Sequence, residues 1–204
     1  MGLAAIVVRR PRRTELPIDT GDLACELVGM VLAHDLPEGR ISGRIVETEA
    51  HVVGDASGHV FHGPTPRNRS LFPERGHAYV YCAYRISWLL NVSSELPGVG
   101  AGVLLRAIEP LEGIAAMMRH RGTSRILDLA RGPGRLAAAT RIDRRCDGAD
   151  LCADGLLWLG AVAQPAGPID RSVRIGLTLE ADRLLRFYER GNRLARGGSA
   201  RSAR

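Results

Sequence analysis

The chain has 204 residues, 45% of them hydrophobic, with four scattered cysteines and a formal net charge of +6. That length suits one ordinary domain or at most two small ones, and the composition is that of a folded globular protein, not of a fibrous or disordered one. No C-x-x-C pair and no apolar run of bilayer length is present, which argues against a zinc ribbon, a secreted disulfide framework and a membrane span. All 28 basic residues are arginine; lysine is absent. A coding bias explains the choice of arginine but not the surplus of charge, which points to a polyanion such as nucleic acid. Without lysine there is no side-chain amine for imine chemistry, so catalysis falls to carboxylates, histidines, hydroxyls or thiols. The first eight residues are apolar and precede Arg9, Arg10, Arg12 and Arg13, the reverse of a secretory leader, so a cytoplasmic protein is expected.

Residues 1–17 read as a loosely held basic lead-in. Asp19 or Thr20 caps a helix expected to run to about His34, with Leu23, Leu27, Val28, Val31 and Leu32 on its apolar side. Residues 40–53 read as a long strand. Residues 54–77, rich in Gly, Pro, Asn and Ser, form a loop too long to be a mere connection. Strands are expected over 78–84, 87–93 and 102–108, then an amphipathic helix from Glu109-Pro110 to about His120. Gly132-Pro133-Gly134 precedes a short helix, and 155–160 and 172–177 read as closing strands. The expected architecture is α+β, a single domain with a mixed, mainly antiparallel β-sheet and flanking helices.

Three places concentrate chemistry. In Ile45-Val46-Glu47-Thr48-Glu49-Ala50-His51-Val52, period-two alternation puts Val46, Thr48, Ala50 and Val52 on a core face and Ile45, Glu47, Glu49 and His51 on the other. Two carboxylates and an imidazole on one face suit a general acid or base, or else a solvated polar face. A metal held by Glu49, His51, His59 or His62 is a further option, though the spacing is not a usual one. Second, Tyr79, Tyr81 and Tyr84 gather three of the four tyrosines into six residues. Tyrosine suits stacking on a base taken out of its helix, and equally suits a core. The preceding loop carries Thr65, Arg67, Asn68, Arg69 and Ser70, groups that hold phosphates or form a solvated turn. Third, Arg106 sits in an otherwise apolar strand and needs a partner, for which Glu47 and Glu49 are the candidates. Asn91, inside Leu89-Leu90-Asn91-Val92, raises the same question.

The blocks Arg44–Ala50, Thr65–Arg69, Tyr79-Val80-Tyr81 with Tyr84, Asn91-Val92-Ser93, Leu104–Gly113, Gly132-Pro133-Gly134 and Leu184–Tyr188 together resemble the alkyladenine (3-methyladenine) DNA glycosylase family. The resemblance implies a glycosylase domain over residues 14–192, with basic, mobile termini at 1–13 and 193–204. It implies a monofunctional enzyme that flips an alkylated or damaged purine from duplex DNA and hydrolyses its N-glycosidic bond, without cofactor or metal. A monomer, associated with the nucleoid when bound, is expected. By position, Glu49 would activate the water, with Arg106 and Asn91 holding it and shaping the pocket. His59 would contact the flipped nucleotide, Tyr81 would stack on the base and Tyr84 would wedge into the gap. Thr65, Arg67, Asn68, Arg69 and Arg85 would contact DNA. Two departures stand out: His51 replaces the family's usual tyrosine in the pocket, and Arg85 replaces its common glycine. The competing readings are a lesion-binding protein with weak or no turnover and an RNA-binding module.

Overall fold

The computed structural model describes residues 8–162 and 166–195. Strand β1 (Val8–Arg9) leads to helix α1 (Thr20–Leu27), then β2 (Val31–Leu36) and the long β3 (Gly39–His51). After the loop come β4 (Ala78–Ala83), β5 (Ser87–Ser93) and β6 (Gly102–Glu112), followed by α2 (Ile114–Arg121) and α3 (Pro133–Ala139). The chain closes with β7 (Leu157–Val162), β8 (Ile169–Ser172) and β9 (Arg186–Glu189). The strands lie in the order β1-β7-β2-β3-β6-β5-β4, every pair antiparallel. Strand β9 continues the sheet beside β3 where β2 has ended, and β8 pairs with β9. The result is the expected single α+β domain with flanking helices.

Asp19 caps α1 by accepting from the Asp22 N–H at 2.9 Å. The helix buries Leu23, Ala24 and Leu27 against the sheet, and Thr48 Oγ1 donates to its Ala24 carbonyl at 2.7 Å. One apolar core contains these residues with Ile45, Leu90, Val92, Leu105, Ile108 and Leu136. This face carries the hydrophobic stabilisation, which scales with the apolar area removed from water.

Four expectations are corrected. The first helix does not reach His34, because Gly29 adopts φ +100° and Val31, Leu32 and Ala33 become a strand between β3 and β7. A short apolar run fits both periods, and only burial on two faces decides between them. Next, β6 runs on through Pro110 to Glu112, and α2 begins only after Gly113 at φ +69°. Pro110 pairs with Gly43 beside a register irregularity, where a missing N–H is tolerated. The strand expected at 172–177 is displaced to Ile169–Ser172. Lastly, the lead-in is held: Val8 and Arg9 pair with β7, Leu16 is buried and Arg13 donates to Asp150 at 2.5 Å. At the other end Leu194 and Ala195 are buried; residues 1–7 and 196–204, most of the termini expected to be mobile, lie outside the described residues.

Candidate active site

A bulge in β3 sets up the site. Ile45 pairs with Ile108 and Glu47 with Ala107, so Val46 is passed over; Thr48 then pairs with Leu105, so Arg106 is passed over in turn. The expected alternation therefore breaks at this point. Ile45 joins the main core, while Val46 packs with Ala107 and Leu194 in a separate cluster. From Glu47 onward the alternation holds. Bulges beside functional sites re-aim side chains, and this one turns Arg106 toward two carboxylates.

Arg106 Nε donates to Glu47 Oε1 and Nη1 to Glu49 Oε2, each at 2.8 Å. Glu47 Oε1 also accepts from Arg186 Nε at 2.7 Å, and Arg186 Nη1 donates to Ser172 Oγ at 2.9 Å. Glu49 Oε1 accepts from the Ile175 N–H at 2.8 Å. All four charged residues are buried. Two carboxylates against two guanidiniums leave the cluster formally neutral, the condition under which buried charge is tolerable.

The register then runs a row of side chains across the sheet. Tyr79 lies opposite Asn91, Asn91 opposite Leu104, Leu104 opposite Glu49 and Glu49 opposite Arg186. Residues directly opposed in antiparallel strands share a face. Beside this row opens a cavity of about 250 Å³, with His51, His59, Tyr79, Tyr81, Asn91 and Leu177 among its walls. Glu49, 2% exposed, is not part of that lining, although Tyr79 and Asn91 of the same row and His51, two residues on, are.

The aromatic wall is ordered by mutual contact. Tyr79 and Tyr81 stack with centroids 5.3 Å apart and planes at 22°. The His59 ring meets Tyr81 edge-on at 4.3 Å, and its Nδ1 lies 2.9 Å from the Tyr79 hydroxyl. Burial pushes the phenols of Tyr79 and Tyr81 up to about 12. Desolvation, with the nearby Arg67 and His51, pulls His59 down to about 4, so its ring is neutral at pH 7. The Arg67 guanidinium lies 5.6 Å from the Tyr81 ring centroid. Gly102 closes the cavity near His51; a Cβ there would meet Leu71 Cδ2 at 2.6 Å.

Next to the cavity, Tyr84, Arg85 and Ile86 form the tip of the β4–β5 hairpin. Tyr84 is 91% and Ile86 84% exposed, and Tyr84 and Arg85 hold φ at 51° and 59°. Left-handed backbone at two successive non-glycine residues is strained, a feature that concentrates at functional sites.

Of the residues singled out in the sequence, Glu49, Arg106, Asn91, His51, His59, Tyr81 and Tyr84 therefore come together. Arg67, Arg69 and Arg85 are exposed, as is Thr65, whose hydroxyl oxygen accepts from the Asn68 N–H. Asn68 is corrected. It is buried, its amide donates to the His59 and Gly63 carbonyls at 2.8 and 3.0 Å, and its oxygen accepts from the Thr65 N–H at 2.6 Å. Asn68 thus shapes the loop that presents His59 and is not offered to a ligand. No group of three His, Cys, Asp or Glu among the described residues is arranged to hold a metal. Two buried arginines escaped sequence reasoning. One is Arg186; the other is Arg174, which pairs with buried Asp55 and donates to the Ala50 carbonyl at 3.1 Å. Both carry the signal that exposed Arg106, a lone arginine between apolar neighbours.

The chain matches the methylpurine-DNA glycosylase family over residues 15–193. A Mesorhizobium japonicum protein, provisionally named 3-methyladenine DNA glycosylase, is 64% identical over 185 residues, covering 91% of this chain and 89% of the relative. Relatives with the same provisional name from Paraburkholderia phytofirmans and Rubrobacter xylanophilus are 49% and 42% identical. The first match covers 91% of this chain and 87% of the relative, the second 83% and 88%. Fold and relatives together define a DNA glycosylase, a hydrolase acting on N-glycosyl bonds. The chain belongs to the methylpurine-DNA glycosylase family.

Proposed function

We propose that the protein is a monofunctional DNA glycosylase of base excision repair. It acts as a monomer on duplex DNA, extrudes a damaged purine of the 3-methyladenine type into the aromatic cavity and hydrolyses its bond to C1′. The observation that supports this reading is the row Tyr79–Asn91–Leu104–Glu49, in which a fixed carboxylate shares a sheet face with two walls of an aromatic cavity.

Glu49 is the general base. Arg106 and the Ile175 amide fix its two oxygens, and each oxygen retains lone-pair capacity for a water. Asn91 holds that water toward the sugar. As the C1′–N bond loosens, positive charge develops on the sugar, and water deprotonated by Glu49 attacks C1′. A methylated purine already carries positive charge, so its bond breaks readily, and the stacked face of Tyr81 favours a cationic base by about 0.5–2 kcal/mol. Tyr84 occupies the place left in the duplex, with extrusion costing a few kcal/mol of unstacking. Arg67, Arg69 and Arg85 meet phosphates beside the cavity and hairpin, fixing position without reading sequence. Other damaged purines that fit the same walls, 7-methylguanine, hypoxanthine and ethenoadenine, are the further substrates.

Incubation with duplex DNA carrying 3-methyladenine tests this. The expected result is free base plus alkali-labile abasic sites, with the backbone uncut before alkali. Binding without base release would favour a lesion-binding protein instead.

A further inference from the structure

The cavity contains a group that the family reading leaves as a stacking surface. His51 Nδ1 lies 3.6 Å from Asp55 Oδ2 and 3.4 Å from Arg174 Nη1. Asp55 and Arg174 have fully buried side chains and form a close ion pair, and Ser57 Oγ donates to Asp55 Oδ1 at 2.6 Å. Burial pushes the Asp55 carboxyl up, but hydrogen bonds from His51, Arg174 and Ser57 outweigh it and hold the acid well below its ordinary range. One ring nitrogen of His51 is therefore committed to a permanent carboxylate–guanidinium pair. The ring also lines the cavity, and Nε2 is the nitrogen that this pair leaves unengaged.

We propose that His51 is the general acid for neutral damaged purines, with Asp55 and Arg174 as the positioning residues that hold it to that role. The inference rests on the glycosylase reading and deepens it. A neutral purine such as hypoxanthine takes the bonding electron pair when C1′–N breaks and leaves as an anion unless a proton arrives. His51 imidazolium transfers its Nε2 proton to a ring nitrogen of the departing base. Water supplies the hydroxyl at C1′, and its other proton goes to Glu49. The product base is neutral, and His51 remains as the Nδ1–H tautomer facing Asp55. A cationic 3-methyladenine needs no such proton.

Elimination among the cavity walls supports the assignment. His59 is neutral over the working range and has given its Nδ1 to the Tyr79 hydroxyl. Tyr79 and Tyr81 are pushed up to about 12 and hold their protons tightly. The charged and titratable groups around His51 are few. Asp55 and Arg174 face Nδ1, and His59 is close enough to feel its charge. Glu49, two residues back on β3, is tied to Arg106. Glu180 approaches through its carbonyl, which accepts from Arg174 at 3.5 Å, while its carboxylate is occupied by Arg183. Asp55 is the carboxylate that faces Nδ1, so it is the acceptor toward which an Nδ1–H is turned.

The test is single-turnover release of hypoxanthine and of 3-methyladenine from duplex DNA, from about pH 5.5 to 8.5, the range across which an imidazole ordinarily titrates. Native protein is expected to lose hypoxanthine release on a basic limb that 3-methyladenine release lacks. His51→Gln removes that limb and costs hypoxanthine about 10²-fold, at least about tenfold more than it costs 3-methyladenine. A folded Asp55→Asn protein moves the limb to lower pH. Equal losses on the two lesions, or an unchanged hypoxanthine profile in His51→Gln, overturns the proposal, and an unmoved limb in Asp55→Asn overturns the positioning role. Failure of the native protein to release hypoxanthine alone overturns the acid; failure to release 3-methyladenine overturns the glycosylase reading beneath it.

Discussion

The two halves of the site are built in opposite ways. Around Glu47 everything is closed: two arginines and two carboxylates on β3, β6 and β9 are buried beside the bulge, and the Ile175 amide bonds to Glu49. From half-buried Tyr81 to Tyr84 the site opens, ending in a strained and almost bare hairpin tip. The closed half trades desolvation of four charges for fixed geometry, and geometry is what a water-activating carboxylate needs. The open half gives up stability to leave aromatic faces and arginines free for DNA. Glu47 and Glu49 stand only two residues apart and share Arg106 within the closed half, yet their surroundings differ. Glu47 is locked by two guanidiniums, whereas Glu49 lies in the row that leads to the cavity.

Substitutions can break this division, the largest effect first. Glu47→Gln leaves Arg106 and Arg186 without their common carboxylate and is expected to cost about 3–5 kcal/mol of stability. Thermal unfolding should register this as a fall of roughly 10 °C. A near-native Tm would show that the cluster is not the structural hub described. Tyr81→Ala should slow 3-methyladenine release by about tenfold with little change in Tm, while Tyr81→Phe, which keeps the ring, should release at close to the native rate. Equal rates for all three proteins would make stacking dispensable. Arg85→Gly relieves a left-handed backbone and should raise stability by about 0.5–1 kcal/mol. The same change should weaken DNA binding and make the slope of log K against log salt shallower by about 0.9, one phosphate contact. Arg69→Gln should reduce the salt slope by a similar step and leave Tm unchanged, since its side chain is exposed.

How much of this was legible in the sequence follows the same division. Strands β3, β4 and β5 declared themselves by alternation and β-branched or aromatic content, and they carry His51, Tyr79, Tyr81 and Asn91 of the cavity. The lone arginine of β6 announced a buried partner, and Glu47 and Glu49 proved to be that partner. The bulge was invisible, because nothing in Ile45-Val46-Glu47 signals that one residue will be passed over. Residues 31–34 read as helix because their burial depends on β7, far away in sequence. Asn68 looked like a phosphate ligand because an amide between two arginines has the same composition whether it turns outward or closes a loop. Arg174 and Arg186 were missed although each carries Arg106's signal, since their partners Asp55 and Glu47 come from segments more than a hundred residues earlier.

The claim at the centre is that Glu49, and not its neighbour Glu47, activates the water. Single-turnover release of 3-methyladenine by folded Glu49→Gln, with DNA binding measured on the same preparation, addresses it directly. Release is expected to fall by about 10²–10⁴-fold with lesion binding retained. Release at the native rate from Glu49→Gln would contradict the account.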